Sequence, residues 1–122
     1  MVSKKGRKSS GGKYTKPNQS KKYEKIRQSR VVKLGDKRTK ALRGRGGNKK
    51  LVSLSNNTAN VLDGKKSKKA LIKTVLETPS NRFLARQNVL VKGAIIETEL
   101  GKARITNRPS QEGTINAVIL RE

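Results

Sequence analysis

The stretch Arg43-Gly44-Arg45-Gly46-Gly47-Asn48-Lys49-Lys50 sets four cations around three glycines within eight residues. Guanidinium and ammonium groups at that density hold phosphate oxygens, and glycine, with no Cβ, lets the backbone itself come close to a phosphate. The same spacing also suits a Gly-rich turn between two strands, and both readings stand at this level. Arg82 and Arg86 lie four apart and share a face if their segment is helical. Lys102, Arg104 and Arg108 fall on one side of the chain if theirs is extended. Gly6-Arg7-Lys8-Ser9-Ser10-Gly11-Gly12-Lys13 approaches a nucleotide-binding phosphate loop, but Gly12 sits where lysine must follow the second glycine and no strand precedes it. Nucleotide binding is therefore not expected. Gly11 and Gly12, like Gly46 and Gly47, are instead read as points of close backbone approach to phosphate.

Carboxylate chemistry has little to work with. Glu97 and Glu99, two apart, could form an acid/base pair on one strand face, but Lys102 and Arg104 are expected across a hairpin from them, so cross-strand charge pairing is the reading. The 122 residues include no Cys and no His. That removes thiol chemistry, disulfides, imidazole bases and zinc or haem sites built on N or S ligands. The residues point to no enzyme, no metal, no cofactor and no small-molecule substrate.

Charge supplies the positive evidence. Lys and Arg total 31 against 8 Asp and Glu, a formal net charge of +23, where a small domain usually carries a magnitude of about 2 to 8. An excess of this size repels itself unless a polyanion neutralises it, so a nucleic acid is the expected partner. Residues 1–50 carry 19 of the cations and 2 acids, and residues 51–122 carry 12 and 6. Single basic runs are commonly no more than solvated surface, a reading that weakens as they accumulate without balancing acids. The first thirty residues offer too few apolar groups to offset the entropy of ordering them. They are read as a basic extension, disordered when free and ordered on RNA, whose candidate contacts are Lys4, Lys5, Arg7, Lys8, Lys13, Lys16, Lys21, Lys22, Lys25, Arg27 and Arg30. Lys37, Arg38 and Lys40 continue the series up to Arg43, Arg45, Lys49 and Lys50.

The elements that must position these groups begin near residue 31. Short apolar clusters rich in Val, Ile and Thr, separated by Gly, Asn, Asp or Pro, are strand chemistry. The clearest strand is residues 102–108, with Ala103 and Ile105 on one side and Lys102, Arg104, Thr106 and Arg108 on the other. Further strands are expected at residues 50–54, 58–62, 71–77, 94–98 and 114–120. Asp63-Gly64 and a basic loop over residues 65–69 punctuate them, and Glu99-Leu100-Gly101 closes a hairpin with a glycine where positive φ is needed. One helix of two turns is expected, capped by Thr78, with Pro79 at its first helical position, no β-branched residue over residues 80–87, and Phe83 and Leu84 covering the end of a sheet. The fold class is mainly β: a compact, mostly antiparallel barrel over residues 31–122, with one short helix and a long basic N-terminal extension over residues 1–30. The longest uninterrupted apolar run, residues 117–120, is far below the roughly 20 residues a membrane-spanning helix requires, so a soluble, intracellular protein is expected. Tyr14, Tyr23 and Phe83 are the only aromatic residues, too few for the stacking platforms of single-strand binders. Recognition is expected to rest on the phosphates and shape of a folded, mostly double-stranded RNA.

Four blocks carry a resemblance. Ser9-Ser10-Gly11-Gly12 before a basic tract, Arg45-Gly46-Gly47-Asn48-Lys49-Lys50, Glu77-Thr78-Pro79-Ser80-Asn81-Arg82, and residues 92–109 (KGAIIETELGKARITNRP) together resemble the S-eight-e family of small-subunit ribosomal proteins of archaea and eukaryotes. The resemblance runs over nearly the whole chain and departs from the family pattern at Glu24-Lys25-Ile26. It implies a β-barrel with a basic extension, bound to small-subunit rRNA beside neighbouring ribosomal proteins, in the cytoplasm on the ribosome. The short length without a large insertion is similar to archaeal members. Two other readings stay open: a ribosome-assembly factor with a similar domain, and a DNA-compacting protein, for which the wedge residues that kink a duplex are few.

Overall fold

Ala103 and Ile105 are fully buried while Lys102 and Arg104 are exposed, and this inside-outside alternation recurs around a closed barrel. The computed structural model describes residues 6–14, 21–23 and 29–120. Eight strands and one helix follow one another: β1 (Lys33–Leu34), β2 (Arg38–Arg43), β3 (Lys49–Asn56), β4 (Thr58–Asp63), β5 (Lys66–Glu77), α1 (Arg82–Arg86), β6 (Ile95–Thr98), β7 (Gly101–Ile105) and β8 (Asn116–Ile119). The barrel is β4-β5-β6-β7-β8, and β1-β3-β2 form a separate three-stranded sheet. Successive barrel strands run antiparallel and β4 pairs β8 in parallel. Five strands of alternating direction cannot close without one like-directed pair, and closure removes the exposed edges that would invite aggregation.

The barrel interior is aliphatic and graded in size. Ala59, Ala70, Ala94, Ala103 and Ala117 share it with Val61, Ile72, Val75, Leu90, Ile96, Ile105 and Ile115, the mixture of small and large side chains that fills a narrow barrel. Val32 joins this cluster from the segment before β1. β5 serves two partners, β4 with its first half and β6 with its second, and its register with β6 shifts between Ile72 and Thr74 and again between Val75 and Glu77. Such irregularities bend a strand. They also explain why the buried positions step from Ile72 to Val75 rather than to Thr74.

Several local expectations are corrected. Residues 66–69 are strand, not loop: only Gly64 and Lys65 turn, and Asp63 pairs with Lys66 across the hairpin. The helix has five residues rather than two full turns, and its cap is Asn81, whose Oδ1 accepts from the Phe83 N–H at 3.0 Å. Pro79 occupies the second position of a turn closed by the Asn81 N–H on the Thr78 carbonyl, 3.1 Å. Both sites want the φ that proline locks, which is why the residue alone did not separate them. Thr78 is instead buried, with its hydroxyl lacking a hydrogen-bond partner. Phe83 faces solvent, and Ala85 packs against the core in its place, beside a half-buried Leu84. The helix ends on Asn88 at φ 49. The N–H groups of Val89 and Asn88 bond to the carbonyls of Leu84 and Ala85, a left-handed cap that satisfies carbonyls the helix leaves open.

β1 and β2 lie outside the strands expected from sequence. β2 is exposed along its length apart from a half-buried Leu42, so no alternation marks it. β3 is the middle strand of its sheet, yet β1 covers only Ser55 and Asn56. Where β1 leaves off, the loop between β7 and β8 takes over, and the Ser53 N–H donates to the carbonyls of Pro109 (3.0 Å) and Glu112 (3.2 Å). This loop holds the β2–β3 hairpin along β3, from Ser53 to Lys50.

Candidate nucleic-acid interface

The β2–β3 hairpin is a cationic ribbon along its length. Arg38, Lys40 and Arg43 on β2 and Lys49 and Lys50 on β3 are all exposed. Residues 38–50 contain no carboxylate. Arg43 stands directly opposite Lys49 in the register, and like charges so placed repel within their own sheet. At the tip, the Gly44 N–H donates to the Asn48 carbonyl at 2.6 Å and Asn48 Nδ2 to the Arg45 carbonyl at 3.1 Å, around a single turn of tight helix at Arg45–Gly47. Gly46 and Gly47 adopt φ 67 and 78, left-handed values that account for both glycines. A Cβ built on Gly47 would meet nothing within 4 Å, so the tip backbone is also open to a ligand. Arg45 is exposed there.

A second group gathers on the β7–β8 loop. Arg30 Nη1 donates to the Ser110 carbonyl at 2.8 Å, Lys50 Nζ reaches Gln111 Oε1 at 3.5 Å, and Arg108 begins the turn that both partners touch, its carbonyl accepting from the Gln111 and Glu112 N–H groups. The structure thus joins Arg30 and Arg108, 78 positions apart in sequence, to the ribbon at Lys50.

The remaining expected contacts are exposed on other elements. Arg82 and Arg86 lie on α1, which packs on β5. Lys102 and Arg104 lie on the outer side of β7, separated from β5 by β6. Lys102 pairs in register with Glu97, and Arg104 faces Ile95 and Val118 across its two neighbours. Glu97 thus has the cross-strand cation expected of it, and its Oε2 accepts from Thr74 Oγ1 at 3.4 Å. Glu99 lies in the β6–β7 turn, with Gly101 at φ 117. Arg7, Lys8 and Lys13 belong to a small loop bridged between Arg7 and Lys13, in which Arg7 Nη1 donates to the Gly11 carbonyl at 2.9 Å, Gly11 turns at φ 80 and Gly12 follows it. Lys8 lies 5.9 Å from the ring centre of Tyr14 and Lys21 6.0 Å from that of Tyr23, with Lys22 exposed beside it. Lys37 is exposed between β1 and β2. Lys4, Lys5, Lys16, Lys25 and Arg27 lie outside the described residues.

The structure adds cations that the sequence reading left as punctuation. Lys65, Lys66, Lys68 and Lys69 are all exposed on the β4–β5 hairpin. The signal was there in Gly64, which with Lys65 forms a two-residue hairpin turn that makes its flanks strands. Among the described residues, no group of three or more Asp or Glu gathers as a metal site and no helix is long and apolar enough to cross a membrane.

Fold and surface together define a small, strongly basic β-barrel protein with a cationic hairpin ribbon. A family model described as Ribosomal protein S8e matches residues 1–120, and the chain belongs to that family. It is 46% identical to the small ribosomal subunit protein eS8 of Sulfolobus acidocaldarius over 119 residues, 95% of this chain and 93% of the relative. The eS8 proteins of Methanococcus aeolicus and Sulfurisphaera tokodaii are each 44% identical over the same shares. These relatives are archaeal.

Proposed function

We propose that the chain is a structural constituent of the small ribosomal subunit that binds and stabilises folded small-subunit rRNA through phosphate contacts, with no catalytic role. The observation that carries this reading is the ribbon: five exposed cations over β2 and β3, with Arg43 opposite Lys49 and no acid among residues 38–50. A sheet arranged against its own electrostatics is stabilised when phosphates lie along it. The relatives named small ribosomal subunit protein eS8 support the same subunit and, with it, a cytoplasmic location beside other ribosomal proteins. Residues 1–30 are its RNA-threading extension and residues 31–122 its folded part; Arg30 at their junction is anchored on Ser110.

Competition at one fixed salt concentration tests the reading. A folded small-subunit rRNA fragment should displace duplex DNA from the full chain, and the protein should co-sediment with mature small subunits after a salt wash. Equal affinity for both nucleic acids points to the DNA-compacting alternative, and release from mature subunits points to the assembly factor.

A further inference from the structure

A polar cavity of about 110 Å³ opens at the seam between the two sheets, lined by Lys37, Asn56, Thr58, Asn60, Lys69, Thr114 and Ile115. Its chemistry is one-sided. Lys37 comes from the β1–β2 link, Asn56 ends β3, and Lys69 lies on β5 opposite Asn60 of β4. No carboxylate lines it.

Asn56 is the informative residue. It is 2% exposed, and its Oδ1 accepts from both the Thr58 N–H and Thr58 Oγ1, each at 3.1 Å. A backbone N–H can only donate, so the oxygen of this amide is fixed and its NH2 is turned the other way. That NH2 belongs to a residue lining the cavity. The cavity this amide borders is also lined by the two lysines, Lys37 and Lys69, so the donors around it are amide and ammonium groups. An anion able to accept several hydrogen bonds satisfies all three.

We propose that this cavity holds one phosphate of the RNA backbone. The assignment rests on the functional reading above and adds to it a defined subsite away from the ribbon tip. A wider depression of about 320 Å³, lined by Asn60, Leu62, Thr106, Asn116 and Val118 among others, shares Asn60 with the cavity. A free ion has no use for that continuation, whereas a polymer needs a path along which its next sugar and base can leave. The adjoining groove therefore favours a phosphodiester over inorganic phosphate.

The test measures affinity of the full chain for a folded small-subunit rRNA fragment against salt concentration. Lys37 and Lys69 are exposed, so Lys37→Gln/Lys69→Gln keeps the fold, which a melting curve checks. Because both lysines face the same phosphate, the double variant should lower the slope of log affinity against log salt by about one unit, with roughly a tenfold loss of affinity. Asn56→Asp keeps the acceptor for Thr58 but turns an oxygen toward the phosphate, and should weaken binding comparably. Lys65→Gln/Lys66→Gln removes the same charge outside the cavity and should cost less. Equal losses in the two lysine pairs, or a fall in slope of about two units for the cavity pair, overturn the single-phosphate site. Inorganic phosphate that shifts the Asn56 amide resonance, with rRNA affinity unchanged in the cavity variants, assigns the cavity to a free ion and overturns RNA as occupant. If the unsubstituted chain binds no rRNA, the functional reading fails, an outcome separate from loss in the variants alone.

Discussion

Single side chains in this protein divide into those that hold the fold and those that face outward as exposed cations. Arg45 at the ribbon tip and Arg104 on β7 are of the second kind. A guanidinium fork holds two phosphate oxygens at once, which an ammonium cannot do. Arg45→Lys or Arg104→Lys should therefore weaken specific rRNA binding more than Lys65→Ala, although only the last changes charge. Filter binding on a matched rRNA fragment decides this, and dominance of Lys65 would show the domain using its other side. Thr78 is of the first kind. Its buried hydroxyl has no partner, a cost of about 1 to 3 kcal/mol, so Thr78→Val, of nearly the same shape, should raise stability by about 1 kcal/mol. Thermal melting should show the gain as a rise of a few degrees, and a fall would mean that the hydroxyl is satisfied in solution.

Among the elements, the end of α1 makes the sharpest demand on one residue. Asn88 holds φ 49, and its Oδ1 accepts from the Val75 N–H at 3.2 Å, so it both turns the chain and ties the helix to β5. Asn88→Ala forfeits both roles and should cost about 2 kcal/mol, whereas Asn88→Gly recovers the backbone freedom and should cost about half as much. Equal losses in chemical denaturation would mean that the side-chain bond alone matters. The elements also show what the sequence makes legible. Alternation at Ala103 and Ile105 exposed β7, and glycine marked the β6–β7 turn, because both signals are local. β2 is solvated on both faces and carries no alternation. Pro79 fits a turn as well as a helix start. The closure of β4 on β8 joins Asn60 to Asn116, 56 positions apart, a pairing that no local pattern encodes. The same holds for the interface: the cations of the ribbon could be read from Arg43 to Lys50, but the clustering of Arg30, Lys50 and Arg108 on one loop, and of Lys37 and Lys69 on one cavity, exists only after folding.

At the scale of the whole molecule, an aliphatic barrel supplies the rigid part, and a net charge of +23 surrounds it and the cationic ribbon. A protein charged in this way gains from binding a polyanion mainly through release of the counterions condensed on the phosphates, so the number of phosphates it engages is readable as a salt dependence. The measurement closest to the central claim is therefore the affinity of the full chain for folded small-subunit rRNA across a salt series. With six to ten phosphates engaged, affinity should fall about a thousandfold to a hundred-thousandfold between about 50 and 200 mM salt. A nearly flat response would contradict an interface built on phosphates and would require recognition through the apolar and polar surface of the barrel instead.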